Sequence, residues 1–209
     1  MRTIVKGVAP ACLEKAERRG MSWDDFVKND QDGYKSSRQQ ANVEQHGVCG
    51  YTEVPLDVSR VTIHFDHFRK KSIYPKLRFK WDNLFAAIKD RPFGADYKDK
   101  IVDGDNHNIV YANIFSPLTP HLQDYFHYAT NGEIEPSNGL SEENRHKAEE
   151  TIRVFNLNAP ELVSRRRTII EQISFYQELS EEEIRSCFIG QGFLSVVDQE
   201  IRYKEVQGV

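Results

Sequence analysis

The chain has 209 residues, with 28 Lys and Arg against 32 Asp and Glu for a formal net charge of -4, and 39% of it is hydrophobic. This is the composition of a globular protein long enough to bury a core, and we read it as a small catalytic module with helical annexes. It excludes a helical membrane span, because no apolar run approaches about 20 residues, and it is not the charge balance of a free-standing nucleic-acid binder.

The N-terminal Met1-Arg2-Thr3-Ile4-Val5-Lys6-Gly7 has neither a long apolar core nor a small-residue cleavage site, so a cytoplasmic protein is expected. Cys12, Cys49 and Cys187 are odd in number and widely spaced, which argues against a disulfide framework and leaves no Cys-x-x-Cys pair for zinc. Short helices are expected over Cys12 to Arg19, over Trp23 to Asn29 with Ser22 as N-cap, and over the polar stretch Lys35 to Gln45. Val58 to Phe65 alternates and predicts a strand with Val61, Ile63 and Phe65 on one face. Lys70 to Lys76, with Pro75, predicts a loop, Leu77 to Trp81 a second short strand, and Leu84, Phe85, Ala87 and Ile88 a helix capped by Asp82 or Asn83. Tyr125 to Ala129 and Glu133 to Glu135 flank Asn131-Gly132, the signal of a hairpin with a two-residue turn. Ser141 starts a helix through Phe155, Pro160 another through Glu178, and Ser180 with Glu183 forms a capping box for a third near Ile184 to Phe188.

The candidate site lies in His64-Phe65-Asp66-His67-Phe68, with Asn83 sixteen residues beyond His67. A carboxylate beside an imidazole, a basic loop and an Asn before an apolar run suit phosphodiester hydrolysis by a one-metal enzyme. Asp66 would supply a hard oxygen ligand to magnesium. His67 would take a proton from water at neutral pH, and Asn83 would orient its imidazole. Strict alternation along a strand sends Asp66 and His67 to opposite faces, so a break or bulge is expected there. Each residue also has a plainer role: His67 as a packed ring between Phe65 and Phe68, and Asp82 or Asn83 as helix caps. His64 and His67 at a spacing of three fall on opposite faces of a strand, which disfavours a two-histidine metal site. Seven basic residues between Arg60 and Lys80 face Asp66 as the one acidic residue of that stretch, so a phosphate-binding surface next to the site is expected.

His67-Phe68-Arg69-Lys70-Lys71, Tyr74-Pro75-Lys76-Leu77, Trp81-Asp82-Asn83-Leu84, Tyr125-Phe126 through Gly132-Glu133-Ile134, and Thr151-Ile152 through Leu157-Asn158 resemble the HNH endonuclease superfamily, and within it the PtuB-like proteins of bacterial Septu and retron defence loci. The resemblance runs from Met1 to about Arg167. It implies an α+β protein with an HNH ββα-metal core between flanking N-terminal and C-terminal helices: a helical lead-in over 1–45, the nuclease core over 46–135, and a helical region over 136–209. It implies His67 as general base, Asp66 as metal ligand and Asn83 as the middle letter of the motif, with Mg2+ or Mn2+ as cofactor. Relatives carry Cys-x-x-Cys, then Asn or His and a Lys, on the helix. Ile88 to Lys100 here has no cysteine, histidine or asparagine, so Asp96 is the expected second ligand, with Asp99 and Asp90 as rivals. Thr52 stands where the second cysteine of Cys49-Gly50-Tyr51-Thr52 would be, so structural zinc is not expected. Arg69, Lys70, Lys71 and Lys98 are the expected nucleic-acid contacts. The partners implied are DNA or tRNA, a PtuA-like ATPase docking on the helices from Ser141 to Phe188, and, in retron loci, the reverse transcriptase and its RNA-DNA product. Two alternatives to the nuclease stay open: a catalytically inactive HNH-like adaptor binding nucleic acid or the ATPase, and an interaction protein in which these residues only pack and cap.

Overall fold

The computed structural model describes residues 1–56, 63–89, 91–104, 108–176 and 178–207. Helices α1 (Ala11–Arg18), α2 (Trp23–Asn29) and α3 (Gln31–Glu44) open the chain. Local chemistry sets their starts. The Ser22 side chain accepts a bond from Asp25 N at 3.0 Å, and the Asp30 carboxylate accepts one from Gly33 N at 3.0 Å. Leu13, Ala16, Trp23, Phe26 and Ala41 turn inward from these helices.

Strand β1 (Ile63–His67) pairs antiparallel with β2 (Leu84–Ile88), His67 lying opposite Leu84 and Ile63 opposite Ile88. The expected strand from Val58 lies outside the described residues as far as position 62; Ile63 to Phe65 are in β1, which continues through His67. Two expectations are corrected. Leu77 to Trp81 is not a strand: Pro75–Leu77 and Trp81–Asn83 form 3-10 turns, with proline's fixed φ opening the first. Leu84 to Ile88 is not a helix but β2. All five of its residues are buried, and a short apolar run covered on both faces has no period to separate strand from helix. On one side Gln45 of the α3 C-cap donates to Ala86 O at 2.7 Å and accepts from Ala86 N at 2.8 Å. The helix after the hairpin is α4 (Ala95–Tyr97), which widens into a π-helical turn over Lys98–Asp103. The unit is therefore strand, looped connection, strand, helix, and the mixed α+β class expected from the sequence is the class observed.

Strands β3 (Phe126–Tyr128) and β4 (Ile134–Pro136) form the second hairpin. Its connection is a three-residue turn rather than a two-residue one, closed by Ala129 N to Glu133 O at 2.9 Å, with Gly132 at φ 89°. Then come α5 (Glu142–Val154), α6 (Pro160–Ser174), α7 (Glu181–Cys187) and α8 (Leu194–Gln207). Ser141 caps α5, and the Ser180–Glu183 capping box is formed. Helix α8 is not among the helices that the sequence predicts.

These C-terminal helices are built into the same core as the N-terminus. The buried Arg166 guanidinium donates to Gly132 O at 2.7 Å and Leu157 O at 2.8 Å, fastening α6 to the β3–β4 turn. From α8, Ser195 Oγ donates to Glu53 at 2.5 Å and Gln199 bonds both backbone groups of Tyr128 at 2.8 Å. Glu53 also pairs with the Met1 ammonium at 3.2 Å. A Cβ on Gly132 would sit 2.2 Å from Val163 O at a backbone angle that L side chains disfavour. Gly132→Ala is therefore expected to lower the unfolding free energy in urea by about 2 kcal/mol or more, and an unchanged midpoint would refute the fit of this turn against α6.

Candidate active site at the hairpin and helix junction

Alternation along β1 decides the layout of the site. His64 and Asp66 face the α4 side of the hairpin, and Phe65 and His67 face the N-terminal helices. The strand pairs regularly through His67, without the expected bulge, so Asp66 and His67 do project to opposite faces.

On the N-terminal side, the His67 ring meets the Trp23 indole edge-on, their centroids 4.5 Å apart. His67 Nε2 lies 3.0 Å from Arg78 O. A carbonyl oxygen can only accept, so the neutral ring carries its proton on Nε2 and keeps its basic lone pair on Nδ1. His67 is 7% exposed, and burial, opposed in part by the Asp66 charge, lowers its pKa to about 4. The imidazole is neutral at physiological pH.

Asn83 is a clasp for the connection between the strands. Its side chain accepts from Arg69 N at 2.8 Å and donates to Arg69 O at 3.0 Å and Leu77 O at 3.2 Å. The direct bond expected between Asn83 and the imidazole is replaced by an indirect one: Asn83 holds Leu77, and the next residue, Arg78, holds His67. This makes Asn83 a positioning residue.

On the α4 side, Asp66 is 3% exposed and the Lys98 ammonium beside it fully enclosed. Lys98 Nζ lies 3.1 and 3.4 Å from the two Asp66 oxygens, 3.0 Å from His67 O and 2.8 Å from Asp99 Oδ1. Tyr51 donates its hydroxyl to Asp66 at 2.5 Å. Burial opposes the charge on both partners, but the Lys98 ammonium outweighs it and holds Asp66 below the ordinary carboxylate range, while Asp66 and Asp99 hold Lys98 above the ordinary amine range. Asp99, a third exposed, is raised to about 7 by burial and by the Asp66 charge.

Lys98 thus cannot be the surface phosphate contact expected of it, because its head group is spent inside the protein. Lys70 is likewise tied to Asp103 at 3.2 Å and Gly104 O at 3.0 Å, and Lys71 pairs with Asp24 at 3.2 Å on the surface. Arg69 is exposed, its guanidinium 5.7 Å from the Tyr74 ring. Asp96 pairs with Lys100 at 3.4 Å, and Asp90 lies outside the described residues. Among the described residues no group of three or more His, Cys, Asp and Glu is placed to hold a metal ion. The oxygens gathered at Asp66 do not fit a divalent ion with Lys98 among them, since its Nζ, a cation itself, fills the point on which they converge. Tyr51, Trp23 and Lys98 are partners of the motif that the sequence does not announce. They reach it from 15, 44 and 31 or more residues away, and no local spacing announces such contacts.

The His67 environment carries a pH signature. The ring is neutral when folded and protonates below about 6.5 when unfolded, so the unfolded chain binds the extra proton between about pH 6.5 and 4. Stability from this group is fully present above about pH 6.5 and falls as pH drops toward 4. Urea titrations across that window should show a shallower acid slope for His67→Gln than for the wild type; equal slopes would place the imidazole in water. Lys98→Met, which strands the buried Asp66 charge, should cost about 3–5 kcal/mol, with Asp66→Asn in the same chain restoring part of it. No restoration would show the two groups to be uncoupled.

No protein-family model matches the chain. Across 90% of its length, and 91% of the other protein's, it is 23% identical to a Vibrio cholerae protein named "Retron Vc95 putative HNH endonuclease". No helix among the described residues is long and apolar enough to cross a membrane. The chain is therefore similar to that protein over nearly the whole length of both.

Proposed function

We propose that the chain is the nuclease subunit of a bacterial antiphage assembly of the retron or Septu kind, hydrolysing nucleic-acid phosphodiesters with His67 as general base. The observation that carries this reading is a neutral imidazole with its tautomer set by Arg78 O, standing at the end of β1 two residues before the exposed Arg69. His67 Nδ1 takes the proton of the attacking water as its oxygen bonds to phosphorus, and the Arg78 carbonyl steadies the imidazolium so formed. The phosphorus bond to the 3' oxygen breaks, that oxygen takes a proton from solvent, and Arg69 meets the phosphate. Asn83 keeps the loop in register for both. The near full-length similarity to a retron protein supports the same reading.

The test is to incubate the purified chain, alone and with its genomic neighbours, with end-labelled DNA and tRNA, and to compare wild type with His67→Gln. Loss of His67 should slow cleavage by about 10²–10⁴-fold. Equal cleavage by the variant, with both chains folded by circular dichroism, removes the assignment.

A second reading, a non-cleaving HNH-like adaptor, is favoured by the enclosure of His67 and by the placement of Lys98 against Asp66. Absence of cleavage of either substrate, with retained assembly, selects it. In both readings the partner is a PtuA-like ATPase, joined in retron loci by the reverse transcriptase and its RNA-DNA product. We place the ATPase contact at the ends of α6 and α7, where Tyr176 and Phe188 pack 6.3 Å apart and their neighbours Phe175 and Ile189 are 83% and 79% exposed. Removing 136–209 would destroy the core contacts of Arg166 and Ser195, so surface changes are the right probe. Phe175→Asp with Ile189→Asp should abolish co-purification with the ATPase while leaving the fold intact, and retained co-purification excludes this surface.

A further inference from the structure

We infer that the Lys98 ammonium is the resident cation of the hairpin and helix junction, and that the Asp66 site takes no divalent metal while Lys98 is in place. The junction gathers oxygens as a cation site does: both Asp66 oxygens, the His67 carbonyl and Asp99 Oδ1 converge on one point, with Phe68 O at 3.5 Å. That point is filled by Nζ, which has no exposure to water. The side chain comes from the first residue of the π-helical turn, and the ammonium is held from two elements at once, the end of β1 and its own helix. Tyr51 donates its hydroxyl to the same carboxylate.

Magnesium demands near-octahedral oxygen ligands at about 2.1 Å and retains several waters. To enter here it would have to share Asp66 with an ammonium a few ångströms away, in a place closed to water. Like charges at such a separation in a weakly screened interior repel strongly, and for the amine to swing out it would have to give up its bonds to Asp66, Asp99 and the His67 carbonyl together. The protein has thus internalised the positive charge that the carboxylate calls for. The inference holds whether or not the chain cleaves nucleic acid, because it concerns the occupant of the Asp66 site alone.

Mn2+ binding to the full-length chain, followed by the loss of its free-ion electron paramagnetic resonance signal, provides the test. The wild type should show no saturable site below about 1 mM that depends on Asp66, and Lys98→Ala, which vacates the oxygen cage, should gain one site at least about tenfold tighter. Adding Asp66→Asn to Lys98→Ala should remove that site. A wild-type Mn2+ site in the submillimolar range that Asp66→Asn abolishes overturns the inference, as does a folded Lys98→Ala chain that takes up no Mn2+. Should Lys98→Ala fail to fold, the comparison of wild type with Asp66→Asn decides alone. The nuclease assay reads a different property: cleavage that persists in chelator agrees with a resident ammonium, and a chain with no cleavage at all leaves the Mn2+ result standing.

Discussion

A buried ammonium between two carboxylates is the constraint around which the junction is organised. Lys98 joins the end of β1 to the π-helical turn through Asp66, Asp99 and the His67 carbonyl. A charge removed from water must be met by opposite charge and by hydrogen bonds, or the cost of burial is not recovered. Two of the partners of Lys98 are accordingly held in place: Asp66 by Tyr51, and the backbone at His67 by its pairing with Leu84. The helix cannot shift relative to the hairpin without breaking that set.

The opposite face of the same strand obeys a different rule. His67 is packed rather than paired, against the Trp23 ring and under the Arg78 carbonyl, and it therefore stays neutral where a solvated imidazole would be partly charged. Two neighbouring residues thus carry opposite protonation behaviour because strand geometry sends them into different surroundings. The Asn83 clasp on Arg69 and Leu77 shapes the loop that supplies the carbonyl, so the electrostatics of one side chain depend on a hydrogen-bonding residue sixteen positions away.

Away from the junction, the chain is closed by a second polar network. Glu53 binds Ser195 of α8 and the Met1 ammonium, and Tyr128 of β3 lies 2.6 Å from the same Ser195 hydroxyl. Arg166 ties α6 to the β3–β4 turn in the same manner. The apolar core runs from Met1 to Ile201 without a break, so the helices after Ser141 serve as packing partners of the module as well as carrying its exposed surface.

Much of the local structure was legible in the amino-acid order. Ser22, Ser141 and Ser180 mark helix starts because a cap acts on backbone groups two or three residues away, and the Asn131-Gly132 hairpin is marked because its left-handed residue must be a small one. The nearness of Asp66, His67 and Asn83 to a basic loop was legible along the chain, but their spatial arrangement was not: β1 sends Asp66 and His67 to opposite faces, and Asn83 bonds Arg69 and Leu77 rather than the imidazole. Leu84 to Ile88 reads as a helix because burial on both faces erases periodicity, and α8 carries no local signal because its role depends on Glu53, 142 residues away from Ser195. By itself the sequence determined the helix caps, the hairpin signals and the residues of the candidate motif, all of which arise from interactions within a few positions. Only the tertiary structure decided that Lys98 fills the space beside Asp66 and that Trp23 encloses His67, because charge pairing and packing are set by distance in space, which sequence separation does not encode.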